Sequence, residues 1–437
     1  MNLRFTKIGI LGGVHDKGIN ALRGKALSHF PTLENAYLTV VDGKIADFGP
    51  MSQCPQDETE TIDLDGRHVL PAFVDSHTHL VYAGTREQEF NMRLAGATYE
   101  EIAAAGGGIL NSGKRVAAAS IEELVAQSAH RLDRITRYGT GTVEIKSGYG
   151  LDPENEIKLL RAAKTLNAVH PGTIVNTYLA AHALPQWAKE RGMGPKEYTD
   201  FMLKEALPTI QAEGLAQYLD IFVERDYFPL DAFERLLEWS AEVGMPAKVH
   251  VNQFYDIGGV ERAVAAGALS VDHLEVMSPA AIEALSGSDT IATLLPSCSY
   301  FLGIPYAPAR ALIERDVLVS LATDYNPGST PNGNMQLVCN MACTQMKMLP
   351  AEALNAATLN AAAALQLSDR KGSIAVGKDA DLLVTHRIPS LEFLCYDFGT
   401  NHIAETYLGG VRYSGLATSG DSGHAAIGET HGGRAVM

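Results

Sequence analysis

Cysteine is scarce in this chain. There are five in 437 residues, Cys54, Cys298, Cys339, Cys343 and Cys395, and none forms a Cys-x-x-Cys pair. An odd, scattered set excludes a disulfide framework and reads as reduced thiols in a cytoplasmic protein. Cys339 and Cys343 stand four apart in an expected helix and read as buried core thiols. Positive charge is also short, with 35 Lys and Arg against 51 Asp and Glu, a formal net charge of −16. That balance argues against nucleic acid or an anionic membrane as partner, and an anionic ligand needs a local cationic pocket. Long apolar runs are missing too. No stretch approaches the ~20 residues of a membrane span, and the opening MNLRFTKIGILGG has no signal-peptide core. What remains is ordinary globular material, 46% hydrophobic and 20% charged, enough to bury a large core without staples.

The first 70 residues read as short strands. Residues 36–41 and 44–48 flank Asp42-Gly43, a hairpin signal because a type I′ turn needs positive φ at both positions. From Pro71 the pattern changes to apolar strands with polar ends: FVDSHTH, TVEIKSGYG, IVNTYLAAH, LDIFVERD, AKVHVNQF, LSVDHLE, IATLLPS and VLVSLATDYNPG. Helices lie between them. Ser120 to Glu123 is a capping box for a helix that stops at Gly139, and Ser278-Pro279 opens another with proline at its first position. Eight strands alternating with helices predict an α/β fold, a (β/α)8 TIM-like barrel over 71–365. A doubly wound open sheet lacks its GxGxxG turn here. After an alanine-rich helix at 351–365, strand patterns return at 373–376, 381–385 and 403–413. With 1–70 they predict a small β-sandwich domain built from both chain ends, 1–70 and 366–413. Residues 414–437, rich in glycine, read as a disordered tail whose His424 and His431 are solvated.

Barrel chemistry sits at the C-terminal strand ends. The first strand ends in His77-Thr78-His79, and alternate residues on a strand face one side. The fifth strand adds His250, the sixth His273 and the eighth Asp324. Imidazoles and a carboxylate converging at one barrel mouth predict a catalytic Zn or Fe ion with an open position for water. Such an ion brings the pKa of water to about 7. Asp324 is the natural proton acceptor.

PAFVDSHTHL, His250, His273, Asp324 and the closing GSIAVGKDADLLV resemble the amidohydrolase superfamily. HTHLVYAGTREQEF, GATYEEIAAAGGGIL, EIKSGYGLD, AAHALP, ATDYNPGS and NMACT narrow the likeness to the branch that opens an imidazolone ring bearing a propionate arm. The resemblance implies one Zn or Fe ion held by His77, His79, His250 and Asp324, and a homodimer. It implies hydrolysis of 4-imidazolone-5-propanoate to N-formimidoyl-L-glutamate in histidine degradation. It places Arg86, Tyr149, His182, Asn326, Gly328 and Ser329 on the substrate, with serine at 329 where threonine is expected. Gln253 occupies a position where relatives carry Glu or Gln, and a glutamine only exchanges hydrogen bonds with the ring.

The residues themselves support this substrate. A guanidinium at Arg86 can grip a carboxylate on two points. Tyr149 can donate to the same carboxylate, His182 can hydrogen-bond the ring, and His273 can polarise the amide carbonyl. Gly106 to Gly108 suit either a loop over the site or a helix end. Lys146 is a poor candidate for a bridging carbamate, because relatives with that two-metal arrangement carry it on strand four. The competing readings are a purine or pyrimidine deaminase, opposed by Gln253 and Arg86, and a non-catalytic barrel, opposed by the intact ligand set.

Overall fold

The computed structural model describes residues 2–97, 101 and 107–416. The expected tail beyond 416, with His424 and His431, lies outside the described residues, as does Gly106. Strands β1 (Asn2–Gly12), β2 (Thr32–Val41), β3 (Lys44–Pro50), β4 (Glu60–Asp63) and β5 (Val69–Pro71) form the first layer. The β2–β3 hairpin turns at Asp42 and Gly43, with φ of 48° and 77°, as the type I′ reading requires.

The barrel strands follow in chain order: β6 (Phe73–Asp75), β7 (Thr140–Lys146), β8 (Thr173–Ala181), β9 (Tyr218–Val223), β10 (Ala247–Val251), β11 (Ser270–His273), β12 (Ile291–Leu294) and β13 (Val319–Leu321). All pair in parallel with their sequence neighbours. The seam between first and last strand closes above β6. Asp324 N–H donates to His77 O at 3.0 Å and His79 N–H to Tyr325 O at 2.9 Å. The Asp75 carboxylate stitches the same seam by accepting from Thr323 N at 2.9 Å and Thr323 Oγ1 at 2.6 Å. Three ligand candidates, His77, His79 and Asp324, therefore sit on the closing joint of the barrel.

Strands β14 (Leu382–Thr385), β15 (Ile403–Leu408) and β16 (Val411–Arg412) return to the first sheet, in the order β16-β15-β14-β5-β1-β2-β3 with β4 against β1. This sheet encloses its own apolar core, including Leu3, Phe5, Leu38, Ile374, Leu382 and Tyr407. Both chain ends contribute to it because β14 pairs with β5, the strand that leads into the barrel.

Two local expectations change. The helix expected at 351–365 is broken into Pro350–Ala356 and Leu359–Ala363. The break frees Ala357 O to accept from Val74 N at 3.0 Å, and Thr358 leaves helical geometry. Asn355 and Asn360 flank the break and bind backbone at Leu27, His29, Leu22 and Val319. Residues 373–376 form no strand; only Ile374 bridges to Val14 before a turn at Gly377. No helix among the described residues is long and apolar enough to cross a membrane.

The chain leaving His79 is held by Arg131, on the helix Ile121–Arg137. Its guanidinium donates to Leu80 O at 3.0 Å and Tyr82 O at 2.9 Å, and lies 3.4 Å from the centre of the Tyr82 ring. Arg131→Leu strands both buried carbonyls and is expected to lower stability by about 2–4 kcal/mol. A fall in the urea midpoint at unchanged m-value checks this.

Candidate active site

His77 and His79 follow β6, His250 lies in β10, His273 ends β11 and Asp324 follows β13. All are buried. The backbone turns sharply where these strands end. Asn252, His273, Leu274 and Asp324 adopt φ of 57°, 89°, 69° and 56°. Non-glycine residues enter this region at a cost of order 1–3 kcal/mol each, which the surrounding packing must offset.

The imidazoles are oriented from below. His77 Nδ1 lies 2.7 Å from Asp272 Oδ2, and His79 Nδ1 lies 3.1 Å from Ser147 O. His250 Nδ1 is 3.0 Å from Asp220 Oδ2, a close contact outside hydrogen-bond alignment. Each partner is an acceptor, so the ring protons belong on Nδ1 and the Nε2 lone pairs face the site. Burial, with neighbouring imidazoles and Lys146, holds all three well below the usual histidine range and therefore neutral.

Those lone pairs meet one another. His79 Nε2 and His250 Nε2 are 3.2 Å apart, and His77 Nε2 is buried without a partner. Asp324 Oδ1 lies 3.6 Å from His77 Nε2 and 3.9 Å from His79 Nε2. Acceptors facing acceptors in a buried space are unfavourable unless a cation sits among them. Ligands about 2.1 Å from one ion at a tetrahedral angle stand about 3.4 Å apart, which matches these separations. The donor set fits a single ion. His273 also comes within reach of His77 and His250. It differs electrostatically: burial would lower it, but the Glu275 charge and hydrogen bond prevail, with help from Asp324 and Asp272, and hold it above the usual value. Asp324 is raised by burial, against the opposing effect of His273.

A cavity of ≈ 670 Å³ opens above these groups. Arg86, Tyr149, His182, Gln253, Asn326, Gly328 and Ser329 all line it with His79, His250, His273 and Asp324. His182 is anchored through Nδ1 to Gly148 O at 3.0 Å and stacks on His79 with ring centres 5.3 Å apart. Burial lowers His182 to about 4. Tyr149 packs against the same two rings, and burial raises its hydroxyl pKa.

Two of the expected substrate-binding residues are partly engaged within the protein. Arg86 turns one edge of its guanidinium to Glu89 and keeps Nη1 clear of it. Its Nε donates to Glu89 Oε2 at 2.7 Å and its Nη2 lies 2.5 Å from the same oxygen. Its Nη1 lies over Gly328, where an added Cβ would meet it at 2.1 Å, so a larger residue there displaces the guanidinium. Asn326 spends its amide on its own loop. Nδ2 donates to Asp324 O and Ser329 Oγ, both at 2.7 Å, and Oδ1 accepts from Gly328 and Ser329 N–H groups at 2.8 Å. Ser329 Oγ in turn donates to Asp324 Oδ2 at 3.1 Å.

Sequence reading missed the groups beneath and behind the site. Lys146 and Lys248, fully buried, meet Glu144, Asp220 and Asp272 at 2.8–3.3 Å. Lys146 is thereby a structural cation in an ion cluster, which supplies its role at the end of strand two. Glu156 accepts three backbone N–H groups, of Gly148, Gly150 and Leu151, at 2.6–2.8 Å and shapes the Tyr149 loop. Cys298 receives Gln253 Nε2 at 3.3 Å. A sequence signal existed for the cluster: charged residues inside the apolar runs TVEIK, LDIFV, AKVHV and SVDH.

The model of the amidohydrolase family matches residues 68–411. The chain is 50% identical to an imidazolonepropionase of Christiangramia forsetii over 94% of this chain and 99% of that protein. It is 42% identical to an imidazolonepropionase of Geobacillus kaustophilus over 88% and 91%. Among solved structures, E. coli guanine deaminase aligns with a TM-score of 0.68 at 17% identity, over 95% of this chain and 99% of that one. An adenosine deaminase from Xanthomonas campestris with bound zinc gives 0.65 at 18%, over 94% and 92%. At such identities the deaminases share the fold. The chain belongs to the amidohydrolase family and, within it, to the imidazolonepropionases.

Proposed function

We propose that this hydrolase opens 4-imidazolone-5-propanoate to N-formimidoyl-L-glutamate, a step of histidine degradation, using one Zn or Fe ion held by His77, His79, His250 and Asp324. The observation that carries the reading is the meeting of unpartnered acceptors at the floor of a cavity that also holds a guanidinium. When bound, the ion supplies a Lewis acid and makes hydroxide available near neutral pH.

The side chains then divide the work. Asp324 takes the proton of the attacking water and delivers it to the leaving ring nitrogen. His273, held above the usual histidine value by Glu275, presents a donor to the ring carbonyl as charge develops there. Arg86 offers Nη1 to the propionate while Glu89 fixes the rest of its guanidinium. Tyr149 and His182, both on anchored loops, complete the wall around propionate and ring. Gln253 hydrogen-bonds the ring without exchanging protons. A cytoplasmic location belongs to the same reading, and five unpaired cysteines support it. The direct test is hydrolysis of freshly made 4-imidazolone-5-propanoate beside cytosine and guanine, with turnover expected on the first alone.

Arg86→Ala should raise KM for the propionate substrate roughly 10- to 100-fold, the loss of a charged hydrogen bond. An imidazolone lacking the arm should be affected far less, and equal losses on both compounds would reduce Arg86 to a fold residue. Asp324→Asn should nearly abolish turnover, because an amide accepts no proton. His273→Ala should keep its metal yet lose a factor on the order of 10² to 10³ in kcat. Metal content measured beside turnover decides this, and a metal-free His273→Ala with an active Asp324→Asn would reverse the two roles.

A further inference from the structure

The Nδ1 edge of His273 meets a second set of donors that the proposed first ion does not use. Glu275 Oε1 lies 3.3 Å from His273 Nδ1, and Cys298 completes a trio whose ligand atoms all fall within 4.8 Å of one another. All three residues are buried. Glu275 Oε2 has no hydrogen-bond partner. Ser299 Oγ stands 3.4 Å from Oε1 as an additional oxygen, and Gln253 donates to the Cys298 sulfur. The 3.3 Å between nitrogen and oxygen again matches two ligands about 2.1 Å from a tetrahedral ion.

We propose that His273, Glu275 and Cys298 form a second, soft-metal site that takes zinc or cadmium when these are in excess. Imidazole, carboxylate and thiolate together select such ions over magnesium or calcium. The trio shares no residue with the four proposed ligands of the first ion. Binding exchanges the cation for the Cys298 thiol proton and the proton shared between His273 and Glu275, both released to solvent. It ties down the ring that faces the substrate carbonyl and so stops turnover. That consequence rests on the role given to His273 above, whereas the site itself does not.

The test titrates the holoenzyme, carrying one metal equivalent, with cadmium chloride. Total metal per chain after desalting is read beside the ultraviolet thiolate-to-cadmium absorption and turnover. Wild type should rise from one equivalent to two, gain the absorption and lose activity as the second equivalent binds. Cys298→Ser should lose the absorption, and both it and Glu275→Gln should bind the second equivalent at least about tenfold more weakly. The proposal is overturned if wild type stops at one equivalent, or if the absorption survives Cys298→Ser and so belongs to other thiols. A second equivalent bound at full turnover would retain the site and overturn its control of His273. Because metal is counted directly, the result stands whichever substrate the enzyme proves to turn over.

Discussion

Two lysines with no access to solvent hold the floor of this barrel together. Lys146 contacts Glu144, Asp220 and Asp272, while Lys248 contacts Glu144 and the carbonyls of Ser76 and Ala364. Charges withdrawn from water in this way survive only when paired, and stripping one partner typically costs about 3–5 kcal/mol. Two ammonium groups facing three carboxylates leave one negative charge in excess. That excess lies under His77 and His250, whose Nδ1 atoms rest on Asp272 and Asp220. The cluster therefore fixes ring orientation and makes the upward-facing lone pairs better ligands.

The upper half of the site is organised differently. Its groups ride on loops, and each loop is held by side-chain hydrogen bonds to nearby backbone or side chains. Glu156 gathers the Gly148–Leu151 turn, Asn326 closes the turn that ends in Ser329, and Glu89 holds Arg86 over Gly328. A rigid ionic floor with loop-borne walls lets the metal chemistry stay constant while loops set the substrate. The deaminases at 17–18% identity share the fold.

Sequence legibility followed the same division. Strand ends at His77, His250, His273 and Asp324 were readable because a polar residue closing an apolar run is a local pattern. The β2–β3 turn was readable because Asp42-Gly43 encodes its own dihedral angles. Glu89, three residues from Arg86, was in plain view, yet nothing local says that it claims two of the guanidinium nitrogens. Asn326 was equally visible, and only the loop shows its amide fully occupied. The helix break at Ala357 escaped because its cause is β6, far away in sequence, which needs that carbonyl.

By itself the sequence determined the α/β alternation, the eight strands and the residue types at the strand ends, since periodicity and strand-end chemistry are local properties. Only the tertiary structure decided which nitrogen of each imidazole faces the cavity, because that depends on acceptors from other strands. It also decided that Lys146 serves the floor and that Cys298 stands against Gln253 from β12's following helix. Pairings across a closed barrel join residues as far apart as His77 and Asp272, and no short-range pattern specifies them.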